Sequence, residues 1–235
     1  MRIMFVGDSM TIGRAGDFTW RYRMWQHFNA TFGGPYRIVG PRAELYDPSV
    51  GEAASLDYGD PAFPTPARRH LAGWGEGWLQ MAPLIRETVT AHRPELLLVS
   101  LGLIDLGFYT NAEQTTQNVR RFVQEARAAD PGIAIAMLPV IPNVRAAGDA
   151  AFAEECAEFT VRQAKAVAGL DGGASPLLLA SVPDGWNLDR DTYDGTHPSP
   201  TGEHRIAAAF ADALYQAWDI GAPYRLPDSC SPVRP

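Results

Sequence analysis

The chain has 235 residues, 46% of them hydrophobic, which suits one α/β core better than two; a single domain over residues 1–235 is expected, with its core at about 1–218 and a C-terminal tail at 219–235. A formal charge of -7, with no compensating Lys/Arg stripe, disfavours nucleic acid and acidic membrane surfaces as partners. No stretch approaches the roughly 20 apolar residues that span a bilayer, the first apolar run is too short for a signal peptide, and Cys156 and Cys230 are too sparse for a disulfide scaffold, so a soluble, cytoplasmic protein with reduced thiols is expected.

In chain order, residues 3–6 form a continuous apolar run that ends on Gly7-Asp8-Ser9-Met10-Thr11-Ile12-Gly13. Trp25, Phe28 and Phe32 follow at helical spacing, and 36–39 reads as a weak strand. Residues 46–72 are rich in Pro, Gly, Asp and Ala without periodicity and read as a long loop or flap over one edge of the sheet. Trp78, Met81, Ile85 and Val89 mark a helix, 96–101 a strand, and Val119, Phe122 and Ala126 another helix. A strand at 133–138, a helix carrying Phe152, Cys156 and Phe159, a strand at 177–182 and a helix carrying Ile206, Phe210 and Leu214 complete the series. The strands lack in-out alternation, as expected for parallel strands covered on both faces. The predicted fold is therefore α/β: a flavodoxin-like three-layer α/β/α sandwich around a parallel sheet of about five strands.

Parallel strands deliver all their C-terminal ends to one edge, where open α/β sheets carry out chemistry. Ser9, the 102–107 loop, the 139–144 loop and the segment before His197 should meet there. His197 precedes Pro198, which keeps it extended, and Ser199-Pro200 reads as the cap and first residue of the last helix. Asp194 stands three residues before His197, so serine, imidazole and carboxylate are available for nucleophilic catalysis. Tyr193-Asp194-Gly195 is also a turn sequence, and Asp184, Asp189 and Asp191 stand as substitutes for the acid. His27, His70, His92 and His204 read as helix-face or loop residues.

Gly-Asp-Ser-x-Thr-x-Gly after the first strand, with Asp-x-x-His near the C-terminus, resembles the SGNH branch of the GDSL esterase and lipase superfamily, from Met1 to about Trp218. The resemblance implies a carboxylic ester hydrolase that takes a small-molecule ester or acyl substrate; no Cys-x-x-Cys, His-Glu-x-x-His or other metal-ligand spacing occurs, so a metal-independent reaction without cofactor is expected. Ser9 would be the nucleophile, His197 the base and Asp194 its orienting acid. It also implies three oxyanion donors: the Ser9 amide, a glycine amide from a second block, and an asparagine side chain from a third block, Gly-x-Asn-Asp. Gly75, with Gly73 close behind, is the candidate glycine.

The third block departs from the pattern. Gly102-Leu103-Ile104-Asp105 puts Ile104 where the asparagine is expected, and an aliphatic side chain cannot donate. Asn111 and Asn143 are the candidate stand-ins. An apolar Ile104 beside the nucleophile favours acyl transfer or a hydrophobic substrate. Two alternatives to hydrolysis follow: an acyltransferase using the same Ser9 intermediate, or a weakly active or inactive binding protein. Ile104, Asp105, Trp74 and Phe108 are expected to contact substrate, and Trp20, Trp78, Tyr109 and Trp186 are further candidates for the cleft wall. Gly7-Asp8-Ser9 lacks the Gly-Lys-Ser/Thr ending of a phosphate loop, and the same loop lacks the Ser/Thr/Gly run of a flavodoxin-type cofactor site.

Overall fold

A computed structural model describes residues 1–230 of the chain. The sheet is built on β1 (Arg2–Gly7), which is followed by a single helical turn, α1 (Ser9–Ile12), and by α2 (Trp20–Thr31). The short β2 (Arg37–Ile38) comes next, then a two-stranded antiparallel hairpin, β3 (Leu45–Asp47) with β4 (Glu52–Ser55), and the two-residue β5 (Leu71–Ala72). The second half alternates regularly: α3 (Trp78–His92), β6 (Leu96–Ser100), α4 (Ala112–Ala129), β7 (Ala134–Leu138), α5 (Val144–Gly148), α6 (Ala150–Leu170), β8 (Leu177–Leu179), α7 (Leu188–Asp191) and α8 (Pro200–Trp218).

Strand order along the sheet is β2-β1-β6-β7-β8, every pairing parallel, with β5 added beside the end of β1. Alternation along each strand sorts side chains between two cores. Met4, Val6, Leu97, Val99, Ile135 and Met137 pack with Trp78, Ile85, Phe122 and Phe159 of α3, α4 and α6. Ile3, Phe5, Leu96, Leu98, Ala136 and Leu138 pack with Trp20, Phe28, Phe210 and Leu214 of α2 and α8. Both faces are dry, which explains why the strands read as unbroken apolar runs. The result is a three-layer α/β/α sandwich, as the pattern predicts.

The differences from the sequence reading are local. The 46–72 segment contains most of the hairpin, a 3₁₀ turn at Thr65–Arg68 and β5, so it is more regular than a loop. Its strands are two to four residues long, and β4 is largely exposed, which leaves no periodicity to detect. The C-terminal segment is also anchored: Tyr224 hydroxyl lies 2.8 Å from His204 Nδ1, and buried Cys230 offers its carbonyl to Arg205. Residues 231–235 of the expected tail lie outside the described residues.

Register fixes what meets at the functional edge. Gly7 pairs with Ser100, and Ser100 with Leu138, so the chain leaves β1, β6 and β7 at one level. The loops carrying Ser9, Ile104 and Asn143 begin there.

Candidate active site

Ser9 is positioned by the break between β1 and α1. Asp8 caps the turn, its carboxylate accepting from the Met10 amide at 3.0 Å, and Ser9 becomes the first helical residue. Its amide has no partner within the protein among the described residues, as expected at a helix N-terminus. Gly7 is required by the same bend: a Cβ there would lie 2.0 Å from Thr11 Oγ1.

His197 lies on the link between α7 and α8. A bridge between Thr192 and Pro198 pins the two ends of this link, with Tyr193 donating its amide to the His197 carbonyl at 3.0 Å. Within the turn, one Asp194 oxygen accepts from the amides of Thr196 (3.0 Å) and His197 (2.8 Å). Its other oxygen lies 2.7 Å from His197 Nδ1, and Nε2 of the same ring lies 3.0 Å from Ser9 Oγ. Partial burial raises the Asp194 carboxyl, but the ring bond and the amide bonds outweigh it and hold the group below its ordinary value. Asp194 is therefore an anion facing the imidazole. Ser199 and Pro200 start α8 as expected and fix where this segment ends.

Asp191 does not compete for the ring. It is fully buried and engaged by Arg190 at 2.7 Å and Arg205 at 3.0 Å. The imidazole is instead flanked by aromatic faces: Trp74 stacks at 4.7 Å and 15°, Tyr193 at 5.6 Å and 16°. Tyr46 stacks on Trp74 in turn at 4.0 Å, so the hairpin supports the histidine through an aromatic column.

The two candidate glycines differ sharply. The Gly73 amide donates to the Gly7 carbonyl at 3.1 Å and is not free for substrate. Gly75 adopts φ +74, with open space where a Cβ would be, and its amide has no partner among the described residues. Gly75 lies on the cleft wall with Ser9.

The cleft is about 440 Å³, lined by Ser9, His197 and Thr196 on one side and by residues of three exit loops on the others. Trp74, Ile104 and Phe108 contribute to its wall, as the sequence suggests. Asp105 does not: it is fully buried, and its carboxylate accepts from the Trp78 and Leu79 amides at 2.8 and 2.9 Å, capping α3. Burial also raises the Asp105 carboxyl, and burial reinforced by nearby Asp105 raises Asp8 to about 7. Of the other aromatic candidates, Tyr109 lines the cleft, Trp20 and Trp78 belong to the cores, and Trp186 donates its indole N–H to the Pro142 carbonyl.

Asn111 is exposed and committed to a capping box with Gln114 at the start of α4. Asn143 is 3% exposed and lines the cleft. Its Oδ1 accepts from the Ala146 amide at 3.0 Å, and its Nδ2 donates one hydrogen to the Ile141 carbonyl at 3.2 Å, leaving the second hydrogen uncommitted. Arg145 and Phe152 also line the cleft and were not singled out from sequence; the 139–144 loop that convergence points to stops one residue short of Arg145.

Among the described residues no group of three or more His, Cys, Asp or Glu could hold a metal ion, and no helix is long and apolar enough to cross a membrane.

Comparison with known proteins places the fold and the family. No curated protein sequence matches the chain at a significant level. A carbohydrate esterase of family 3 from Talaromyces cellulolyticus has a similar structure, with TM-score 0.74 and 23% identity over 92% of this chain and 97% of that one. An acetyl esterase, solved as a serine-to-alanine mutant with an acetate ion, gives TM-score 0.74 and 22% identity over 92% and 97% of the two chains. A family 3 carbohydrate esterase from Clostridium thermocellum gives TM-score 0.67 and 20% identity over 92% and 96%. These likenesses show a shared fold. The model of the GDSL-like lipase/acylhydrolase family matches residues 5–205, from within the first strand to the last helix, and the chain belongs to that family of ester-hydrolysing enzymes.

Proposed function

We propose that this single-domain protein is a serine-dependent carboxylic ester hydrolase working through an acyl-enzyme on Ser9. The observation that carries the reading is the continuous relay from Asp194 to His197 Nδ1 (2.7 Å) and from His197 Nε2 to Ser9 Oγ (3.0 Å). Asp194 selects the tautomer with hydrogen on Nδ1, leaving Nε2 to take the Ser9 proton as Oγ attacks the ester carbonyl. The imidazolium then passes that proton to the departing alkoxide. Water repeats the sequence on the acyl-enzyme, giving its proton to His197, which returns one to Ser9 as the acid leaves.

The negative charge that develops on the carbonyl oxygen is met by the free amides of Ser9 and Gly75, with the uncommitted Nδ2 hydrogen of Asn143 as the third donor. Raised carboxyls suit this role. Burial raises Asp8 to about 7, so the cap beneath the turn carries less than a full negative charge at neutral pH and opposes the oxyanion less. The substrate is a small-molecule carboxylic ester, a reading supported by the carbohydrate and acetyl esterases that share the fold. The free thiols of Cys156 and Cys230 support a cytoplasmic setting.

A second reading, acyl transfer to a bound alcohol, is favoured by the apolar wall of Leu103, Ile104, Phe108 and Phe152 beside Ser9, which would exclude water from the intermediate. The third, a binding protein without turnover, is opposed by the complete relay. Hydrolysis of p-nitrophenyl acetate by the protein and by Ser9→Ala tests the principal reading, and repeating it with added alcohol acceptors tests the second. We expect turnover that Ser9→Ala lowers by at least about 10⁴-fold. Equal rates from both proteins would refute it.

A further inference from the structure

We infer that Arg145 makes the cleft selective for esters bearing a carboxylate a few bonds from the scissile carbonyl. The inference rests on the ester-hydrolase reading above and adds the class of substrate. Arg145 follows Asn143 by two residues, in the first turn of α5, and lines the same cleft as Ser9, where it is the only Lys or Arg among the described residues. Its guanidinium is held in place without being neutralised. Nη1 donates to the Gly107 carbonyl at 2.6 Å, and the group lies over the Phe152 ring at 4.1 Å and near the Phe108 ring at 6.0 Å.

Among the described residues no carboxylate comes within 4.0 Å of it. Two nearby acids are occupied elsewhere: Asp149 caps α6 through the Phe152 amide at 3.1 Å, and Glu155 accepts from the Ala112 amide. By contrast, Arg23, Arg42, Arg190 and Arg205 each pair with a carboxylate in this acidic chain. A guanidinium has five N–H donors and Arg145 commits one, so a planar fork remains for a carboxylate. Between it and Ser9 the cleft offers mainly apolar wall, which suits a short hydrocarbon spacer. An uncharged ester would occupy the spacer region and leave the fork to water.

The test compares kcat/KM by pH-stat at neutral pH for two matched pairs. Ethyl hexanoate against monoethyl adipate places the carboxylate on the acyl side, and butyl acetate against γ-acetoxybutyrate places it on the alcohol side. The wild-type protein is expected to favour the anionic member of one pair by about tenfold, a ratio that shrinks as NaCl is raised. Arg145→Gln should bring that ratio towards one, and Arg145→Lys should retain part of it, since lysine keeps the charge but not the fork. A wild-type ratio near one in both pairs, or a ratio unchanged in Arg145→Gln, would overturn the inference while leaving ester hydrolysis standing. Inactivity on all four esters would instead remove the reading beneath it.

Discussion

The exit loops of β1 and β6 leave the sheet at the same level, yet they carry opposite chemistry. The first delivers Ser9 to the imidazole at 3.0 Å with its amide exposed at a helix N-terminus. The second turns through a π-type segment, Asp105–Tyr109, that buries its carboxylate under α3 and presents Leu103, Ile104 and Phe108 to the cleft. Proton transfer needs particular atoms at bonding distance, so the relay tolerates no substitution of type. An oxyanion asks only for donors converging on one point, and a parallel sheet supplies several loops from which they can come. Asn143 on the β7 exit loop is the donor proposed to use this freedom.

The comparison can be broken at either loop. The largest effect after loss of Ser9 is expected from Asp194→Asn, which removes the anion that holds the imidazole tautomer: kcat for p-nitrophenyl acetate should fall by about 10² to 10⁴-fold with KM little changed. A fall in kcat below about threefold would mean that the ring is oriented by Trp74 and Tyr193 alone. Next, Asn143→Ala should lower kcat by about 10 to 10³-fold, and Ile104→Asn introduced into that variant should recover part of the loss by returning a donor to the β6 loop. If Asn143→Ala is silent, the oxyanion is held by the two amides and the proposed donor plays no part.

The smallest effect concerns stability. Burial, with Asp105 nearby, lifts Asp8 from 3.8 to about 7. The folded state therefore holds a proton that the unfolded chain releases, and the Asp8 contribution to stability is full below about pH 4 and lost as pH rises towards 7. Asp8→Asn keeps the cap and removes the titration. Urea unfolding at pH 5 and pH 8 should show the wild type losing stability relative to Asp8→Asn as pH rises, on the order of a kcal/mol or more. A pH-independent difference between the two proteins would contradict the assignment.

Much of the architecture was legible because burial on both faces leaves a simple trace. The apolar runs ending near Gly7, Ser100 and Leu138 mark the three central strands, and their parallel order implies that the loops beyond them meet. Ser9, Asp194 and His197 were legible as a set because their types and order match a known pattern. What escaped notice depends on contacts between segments distant in sequence. The hairpin carrying Tyr46 has strands too short and too exposed to show a period, so its support of Trp74 and His197 was hidden. Asp105 reads as a cleft residue from its position, and only the approach of α3 shows that its carboxylate is consumed as a cap. Gly73 and Gly75 look equivalent in sequence; one hydrogen bond to the Gly7 carbonyl separates them.

The central claim is that His197 and Asp194 make Ser9 a nucleophile, and covalent trapping examines it most directly. Intact-protein mass spectrometry after exposure to a fluorophosphonate should show a single adduct on the wild-type protein, mapping to Ser9, and none on Ser9→Ala. Equal labelling of the two proteins, or an unlabelled wild type that still hydrolyses esters, would contradict the account.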